Sequence, residues 1–499
     1  MNDNKGNQEE NQSTKPLFET VPIENSQADT VQPEEISPEV LNPEDVQGGS
    51  AFQPEIAPSD QPFVYEESKI KYVFIVFAIL LFVGIFILVI RFFTGARSKA
   101  PIPDIKLVYW GLWEEKEVIE PLINEYQKNN PHVKIEYEKK SPQDYREKLI
   151  SWSQKNIGPD IFRFHNTWLP ELKSVTAPLP ETIMKNLEFE KTFFPITQRD
   201  LKIGNFYYGI PLSIDGLVLI YNESMFKKAG ISTPPRNWDE LVEYVGKLQV
   251  INKDKEIITS GIAIGTASNI EHFSEIFGLM LLLNGGSLEN LNQLEAAGAL
   301  EAYRRFAELP NPTWNEAMPN SITAFAQEKV AMIIAPSWQI LTINSISKDL
   351  KMKVIPIPKP PGGKQVSLAS YWVEGVSNSS KNQLEAWKFL KFLSQKDSMT
   401  KLYELENKQR LFGEPYSRVD LAQVLIQNPY IGPIIQQAVD DSYVSLPIAS
   451  RTFDNGLNDE LRVYLENAVN ATIQGVSYSE ALSTAQKGVT QVFQKYNIQ

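Results

Sequence analysis

The chain contains no cysteine. That excludes disulfides, thiolate metal sites, a cysteine nucleophile and lipid attachment through an N-terminal cysteine. Histidine is nearly as scarce: His132, His165 and His272 stand far apart, which argues against a His-rich metal site. Beyond residue 68 there is no excess charge of either sign. The formal net charge of −13 arises within residues 1–68, where fifteen acids face only Lys5 and Lys15; the other 46 basic and 46 acidic residues cancel. A neutral globular part offers no electrostatic footprint for nucleic acid or for an anionic membrane surface. Phosphate-binding loops, serine-, cysteine- or metal-based catalytic motifs and internal repeats are also missing. These absences leave enzymes of those classes, and a metal cofactor, without support in the sequence.

What is present divides the chain in three. Residues 1–68 are rich in Glu, Gln, Asn and Pro with no apolar period, so they cannot bury enough surface to offset chain entropy and are expected to be disordered. Tyr72–Ile90 is an unbroken apolar run, YVFIVFAILLFVGIFILVI, with Lys69 and Lys71 before it and Arg91, Arg97 and Lys99 after. Nineteen helical residues span about 30 Å, the thickness of a hydrocarbon core. The run is too long, and too far from the N-terminus, for a cleaved signal, so residues 70–93 are read as a retained transmembrane anchor. The flanking bases, two before and three after, do not set its orientation. A linker over 94–103 then leads to a large domain, 104–499, whose 42 % hydrophobic and 11 % aromatic average for the chain is ample for a sizeable core.

Within that domain the elements alternate. Ile105–Trp110, Val133–Tyr137, Asp160–Phe164, Leu217–Tyr221 and Val330–Ala335 read as strands, and Glu114–Asn129 and Gln143–Lys155 as helices. Asn237 with Glu240 three residues on reads as a helix N-cap and capping box, and Leu457–Tyr496 as helix broken near Gly475. Alternation of this kind predicts mainly parallel sheets covered by helices on both faces.

Five blocks in order then resemble one family. They are Leu107-Val-Tyr-Trp-Gly-Leu-Trp113 with its helix ending at Asn130-Pro131; Asp144-Tyr145 and Leu149 with Gly158-Pro159-Asp160-Ile161-Phe162; Tyr208-Gly-Ile-Pro211 through Asp215 to Leu219-Ile-Tyr-Asn222; Phe226, Ala229-Gly230-Ile231, Pro234-Pro235, Trp238 and Glu240-Leu241; and Ala324-Phe325-Ala326, Ala331-Met332 and Pro336-Ser-Trp338. Together they resemble the extracellular solute-binding proteins of carbohydrate ABC importers (family 1) across most of residues 104–499. Two features depart from that pattern: Asn237 stands where Thr is commoner, and an apolar helix replaces the usual lipidated cysteine or cleaved signal.

The resemblance implies a two-lobed α/β, periplasmic-binding-protein-like fold with an interlobe cleft. Lobe 1 would take about 104–213 plus 358–410, and lobe 2 about 216–355 plus 413–499. The crossovers would lie near Leu212–Gly216, near Pro356–Pro358 and after the Ala386–Glu406 helices. It also implies a carbohydrate ligand, a membrane permease driven by an ATPase as partner, a monomeric state, and a C-terminal domain outside the cytoplasm.

Aromatic faces cover the C–H patches of a sugar, and carboxylates and amides bond its hydroxyls. Trp110 and Trp113 sit at a strand's C-terminal end and in its loop, where open α/β sheets bind ligands. His165, Asn166 and Trp168 follow the Asp160–Phe164 strand, although Asn166 would serve equally as a helix cap. Asp160 is read as structural, bonding backbone amides near its turn. Asp215 interrupts an apolar stretch, either to accept sugar hydroxyls at a crossover or as a buried structural carboxylate. Trp338 matches a stacking position of the family, Tyr371 and Trp372 lie where ligand-lining and core packing compete, and Trp314 lies in a loop. A tethered sugar sensor or adhesin on the same scaffold is the alternative function. A glycan-active enzyme is a weaker one, because only Asp215 stands out where two carboxylates would be needed.

Overall fold

The computed structural model describes residues 70–95 and 103–498, in two separate units, one holding the apolar run and the other the domain from Asp104 onwards. The acidic tail and most of the linker lie outside the described residues. Ile70–Gly95 is one helix. Its stretch Ile70–Arg91 has a mean hydropathy of 3.5, and none of its residues is buried. A helix that is apolar on every side and exposed suits lipid rather than a water-facing surface. At about 1.5 Å per residue it is long enough to cross a bilayer.

The domain is built on two five-stranded sheets. In lobe 1 the order is Val133–Lys139, Ile105–Gly111, Ile161–His165, Trp372–Val376, Ile210–Pro211. The first three strands are parallel, and Trp372–Val376 runs against both its neighbours. Lobe 2 orders Met352–Ile355, Leu217–Asn222, Val330–Pro336, Ile257–Ile262, Val250–Ile251. There only the Val330–Pro336 and Ile257–Ile262 pair is parallel. The expectation of mainly parallel sheets therefore fails. Strands that enter a lobe from a crossover run opposite to those built by local strand–helix–strand units.

Local chemistry explains several boundaries. Asn237 Oδ1 accepts the Glu240 amide at 2.9 Å, as expected of the cap, but the Glu240 carboxylate reaches back to the amide of Arg236 instead of Asn237. Asp160 is structural but not local: it accepts the Val108 amide at 2.8 Å from the neighbouring strand and the Ser380 hydroxyl. The C-terminal helices, Leu457–Ile473 and Tyr478–Lys495, break at Gly475, whose φ of +89° suits glycine.

Three crossovers lie side by side. Ser213 bridges Tyr416, Gly216 bridges Ala369, and Ile214 donates its amide to Pro415 O at 2.9 Å. The chain first passes from one sheet to the other between Ile210–Pro211 and Leu217–Asn222. The second crossover lies further on than Pro356–Pro358. Lys359 still bridges Asn237, Ile357 donates to Gln437 Oε1, and Ser367–Leu368 pairs with Tyr443–Val444 before the chain reaches lobe 1 at Trp372. Residues 358–368, expected in lobe 1, thus stay against lobe 2 because those pairings satisfy their backbone there. The third crossover follows the helices Gln383–Leu393 and Lys396–Asn407, which pack on lobe 1, and passes through Glu414–Tyr416.

Candidate functional site

The crossovers form one wall of a cavity of about 510 Å³, a size typical of small-molecule sites. Lobe 1 contributes the ends of its sheet. Register pairs Trp372 with His165, so both stand at one edge. Trp113, 36 % exposed, meets Trp372 edge-to-face at 5.2 Å, and His165 also packs against Trp372 at 5.2 Å. Lobe 2 contributes Trp338 and Gln339, which follow the strand Val330–Pro336 and start the next helix. The Trp338 indole is half-buried and rests on His272 at 5.6 Å. Indoles from both lobes therefore share one cavity.

Polar groups along the walls are mostly committed. Asp215 is 5 % exposed, with Oδ1 accepting the amides of Gly216 (2.7 Å) and Ser337 (3.1 Å) and Oδ2 accepting that of Trp338 (3.3 Å). Its main service is to tie a crossover to the loop carrying Trp338, leaving little acceptor capacity for hydroxyls. Burial, reinforced by Glu414, pushes its pKa up to about 7. His165 bonds Thr167 Oγ1 through Nδ1 (2.8 Å) and Ser370 Oγ through Nε2 (3.1 Å), and burial holds its pKa down to about 4. It is therefore neutral near pH 7. Tyr371 borders the cavity but is 1 % exposed and donates its hydroxyl to Asp200 at 2.7 Å.

Of the ten residues singled out from sequence, Trp113, His165, Asp215, Trp338, Tyr371 and Trp372 line this cavity. Four do not. Trp110 is 4 % exposed beneath Trp152 and Tyr145, with Lys140 Nζ over its ring at 4.4 Å. Asn166 spends its amide on Asp200, Ser445 and the Tyr371 amide. Trp168 is fully buried and supports Trp372 from behind at 5.3 Å. Trp314 is fully buried in lobe 2 and donates Nε1 to Thr266 and Asn269. In each case an interior position competes with the cleft, and a tryptophan's neighbours in sequence do not distinguish the two.

Sequence reading also missed part of the lining: Glu271, Arg410, Glu414, Arg451 and Phe453. Arg410 and Glu414 arrive on the third crossover and Arg451 on the segment after it, far in sequence from the other walls. The one available signal was the density of charged residues just past the Lys396–Asn407 helix. Both guanidinium groups at the cavity are already paired: Arg410 with Glu406 (3.0 Å) and Glu414 (2.9 Å), Arg451 with Glu271. Among the described residues no cluster of three or more His, Asp or Glu is arranged to hold a metal.

Known proteins share this architecture. A binding protein of Brucella abortus is 26 % identical over 326 residues, 62 % of this chain and 78 % of that one. The maltotriose-binding protein of Pyrococcus abyssi is 23 % identical over 372 residues, 67 % of this chain and 77 % of its own. Among solved structures, a cyclo/maltodextrin-binding protein complexed with maltotetraose matches with a TM-score of 0.65 at 21 % identity, over 80 % of this chain and 99 % of that one, which shows a common fold. Residues 121–408 match the family described as bacterial extracellular solute-binding protein. With more than half of its length so matched, the chain belongs to the bacterial extracellular solute-binding proteins.

Proposed function

We propose that the chain captures an uncharged sugar or short oligosaccharide between its lobes, outside the cytoplasm, while the Ile70–Gly95 helix tethers it to the membrane. The observation that carries this reading is the meeting of Trp113 and Trp372 from lobe 1 with Trp338 from lobe 2 in one cavity. Indole faces suit the C–H patches of pyranose rings. The paired state of Arg410 and Arg451 supports an uncharged ligand, since no unpartnered guanidinium is offered to a carboxylate or phosphate. The names of the Pyrococcus relative and of the maltotetraose complex point the same way. Closure of two lobes on a solute makes contacts that an open form lacks, so ligand shifts the population towards closed. In this role the protein is a non-enzymatic monomer that delivers its ligand to an ABC-type permease powered by an ATPase.

A melting screen of the detergent-solubilised chain against neutral sugars, uronates, amino acids and polyamines tests the ligand class. At a hundred times its Kd a true ligand adds about 2.7 kcal/mol to stability, enough to raise the melting temperature by a few degrees. Neutral saccharides should give the shift. A response confined to amino acids, polyamines or uronates would remove the neutral-sugar reading.

Topology has its own test. Protease added to intact cells, or to spheroplasts where an outer membrane intervenes, should digest residues 104–499 and spare an epitope within residues 1–68. Protection of the large domain would place it in the cytoplasm and end the import role.

A further inference from the structure

A second cavity, of about 580 Å³, adjoins the tryptophan-lined one, and Glu271, Ser450, Arg451 and Phe453 line both. Its own walls are polar: Gln143 and Asp144 come from lobe 1, and Asn320, Asp459 and Arg462 from lobe 2. The partition between the two is the segment Ser450–Asn455. Three of its residues hold left-handed backbone, Arg451 at φ 61°, Phe453 at 56° and Asn455 at 46°. Such conformations persist in non-glycine residues only where the surroundings over-determine them.

Here they do. At one end the Ser450 amide donates to Glu275 Oε1 at 2.7 Å, and its hydroxyl lies 2.8 Å from His272 Nδ1. At the other end Asp454 O accepts Arg146 Nε at 2.6 Å from the opposite lobe, while its carboxylate accepts the amides of Gly456 and Asn458. The backbone of the partition is thus fixed at both ends. Its middle is different. The Arg451 side chain is 52 % exposed and pairs with Glu271, whose other oxygen accepts Asn320 Nδ2 at 2.8 Å. Only the guanidinium end reaches water: the Glu271 side chain is 10 % exposed, so displacing Arg451 costs that carboxylate its charge partner, which Asn320 and incoming hydroxyls must replace while the frame stays.

We propose that Arg451 is a displaceable partition that sets how long a ligand the cleft accepts. A ligand that fits the tryptophan-lined cavity leaves the Arg451–Glu271 pair closed. A longer neutral oligosaccharide displaces the guanidinium and runs into the polar cavity, where side-chain amides and carboxylates take up its hydroxyls. The inference rests on the reading of the cleft as a sugar site.

The test uses the full chain in detergent and linear glucose, mannose and N-acetylglucosamine oligomers of one to seven units, titrated calorimetrically. The wild-type chain should show a length beyond which affinity stops rising. Arg451→Gly removes the side chain at a backbone angle glycine adopts freely, and Glu271→Gln breaks the charge pair while keeping an acceptor for Asn320. Both variants should raise the ratio of affinities for oligomers beyond that length to those below it by at least tenfold, with melting temperatures confirming folded protein. An unchanged ratio, or an equal loss at all lengths, overturns the partition and leaves the sugar reading standing. Failure of every oligomer to bind the wild-type chain overturns the sugar reading, and this inference with it.

Discussion

Trp338→Ala is expected to weaken ligand binding by roughly ten- to a hundredfold, corresponding to about 1.5–3 kcal/mol. The indole is half-buried, lines the cavity and is the lobe 2 counterpart of Trp113 and Trp372. Its loss removes stacking area that the ligand covers only in the bound state. Trp338→Phe should retain part of the affinity, because a smaller ring still covers part of a sugar face. The ligand-free melting temperature should change little, since the ring is only partly buried in the domain. Trp168→Ala provides the contrast: this side chain is fully buried behind Trp372, so its loss should cost about 3–5 kcal/mol of stability. Calorimetric titrations and melts on the same samples separate the two effects. Wild-type affinity in folded Trp338→Ala protein would remove the lobe 2 indole from the site.

Raising the pH from 6 to 9 should cost the domain about 3 kcal/mol through the acids beside its crossovers and His165, enough to lower the melting temperature by roughly 3–5 °C. The cause lies beside the crossovers, where two guanidinium groups serve four carboxylates. Arg163 bonds Glu114 and Glu374, and Arg410 pairs with Glu406 and Glu414. One cation compensates one buried anion well, and the second acid then favours its proton. Burial, reinforced by Glu414, accordingly pushes Glu406 up to about 8, and burial raises Glu374, whereas Arg163 overcomes burial to hold Glu114 low. Asp215 rises to about 7.

In the unfolded chain Asp215 and Glu406 ionise near pH 4, so their contribution to stability is fully present below that pH and is lost as pH climbs through 7–8. Between pH 6 and 9 these two acids account for a loss of about 4 kcal/mol. His165 opposes it by less than about 1 kcal/mol, because its lowered pKa gives stability that is lost only on the acid side. Glu406→Gln should remove most of the crossover acids' share of the slope, leaving the part due to Glu171, which burial also pushes up to about 8; the amide oxygen replaces the acceptor that Glu406 offers to the Glu414 amide. A variant whose stability falls between pH 6 and 9 as steeply as the wild type's would exonerate the cluster.

Much of this architecture could be read locally. The run Tyr72–Ile90 specifies a helix exposed on all sides because no residue in it prefers water. Asn237 starts its helix because its short side chain brings an amide oxygen within reach of the Glu240 amide. Trp113 and Trp338 were legible as cleft candidates because both follow strands at the sheet edge where the chain turns. Asp215 was legible as an acid in an apolar stretch, but not as the anchor of the Trp338 loop, because Ser337 and Trp338 approach it from more than 120 residues away. Trp168 and Trp314 carry the same local marks as Trp113, and only their neighbours in space put them in the interior.

By itself, then, the sequence determined what depends on near neighbours: the apolar helix, the strand and helix order, the caps, and a neutral globular part with an acidic segment before it. Only the tertiary structure decided which side chains face the cleft, that the second crossover waits until Ala369–Tyr371, and that Arg410, Glu414 and Arg451 border the tryptophans. The reason is physical. Helix, strand and cap preferences act over a few residues, whereas the cleft is assembled where three crossovers meet, and a residue's exposure there depends on partners brought close only by the packing of two lobes.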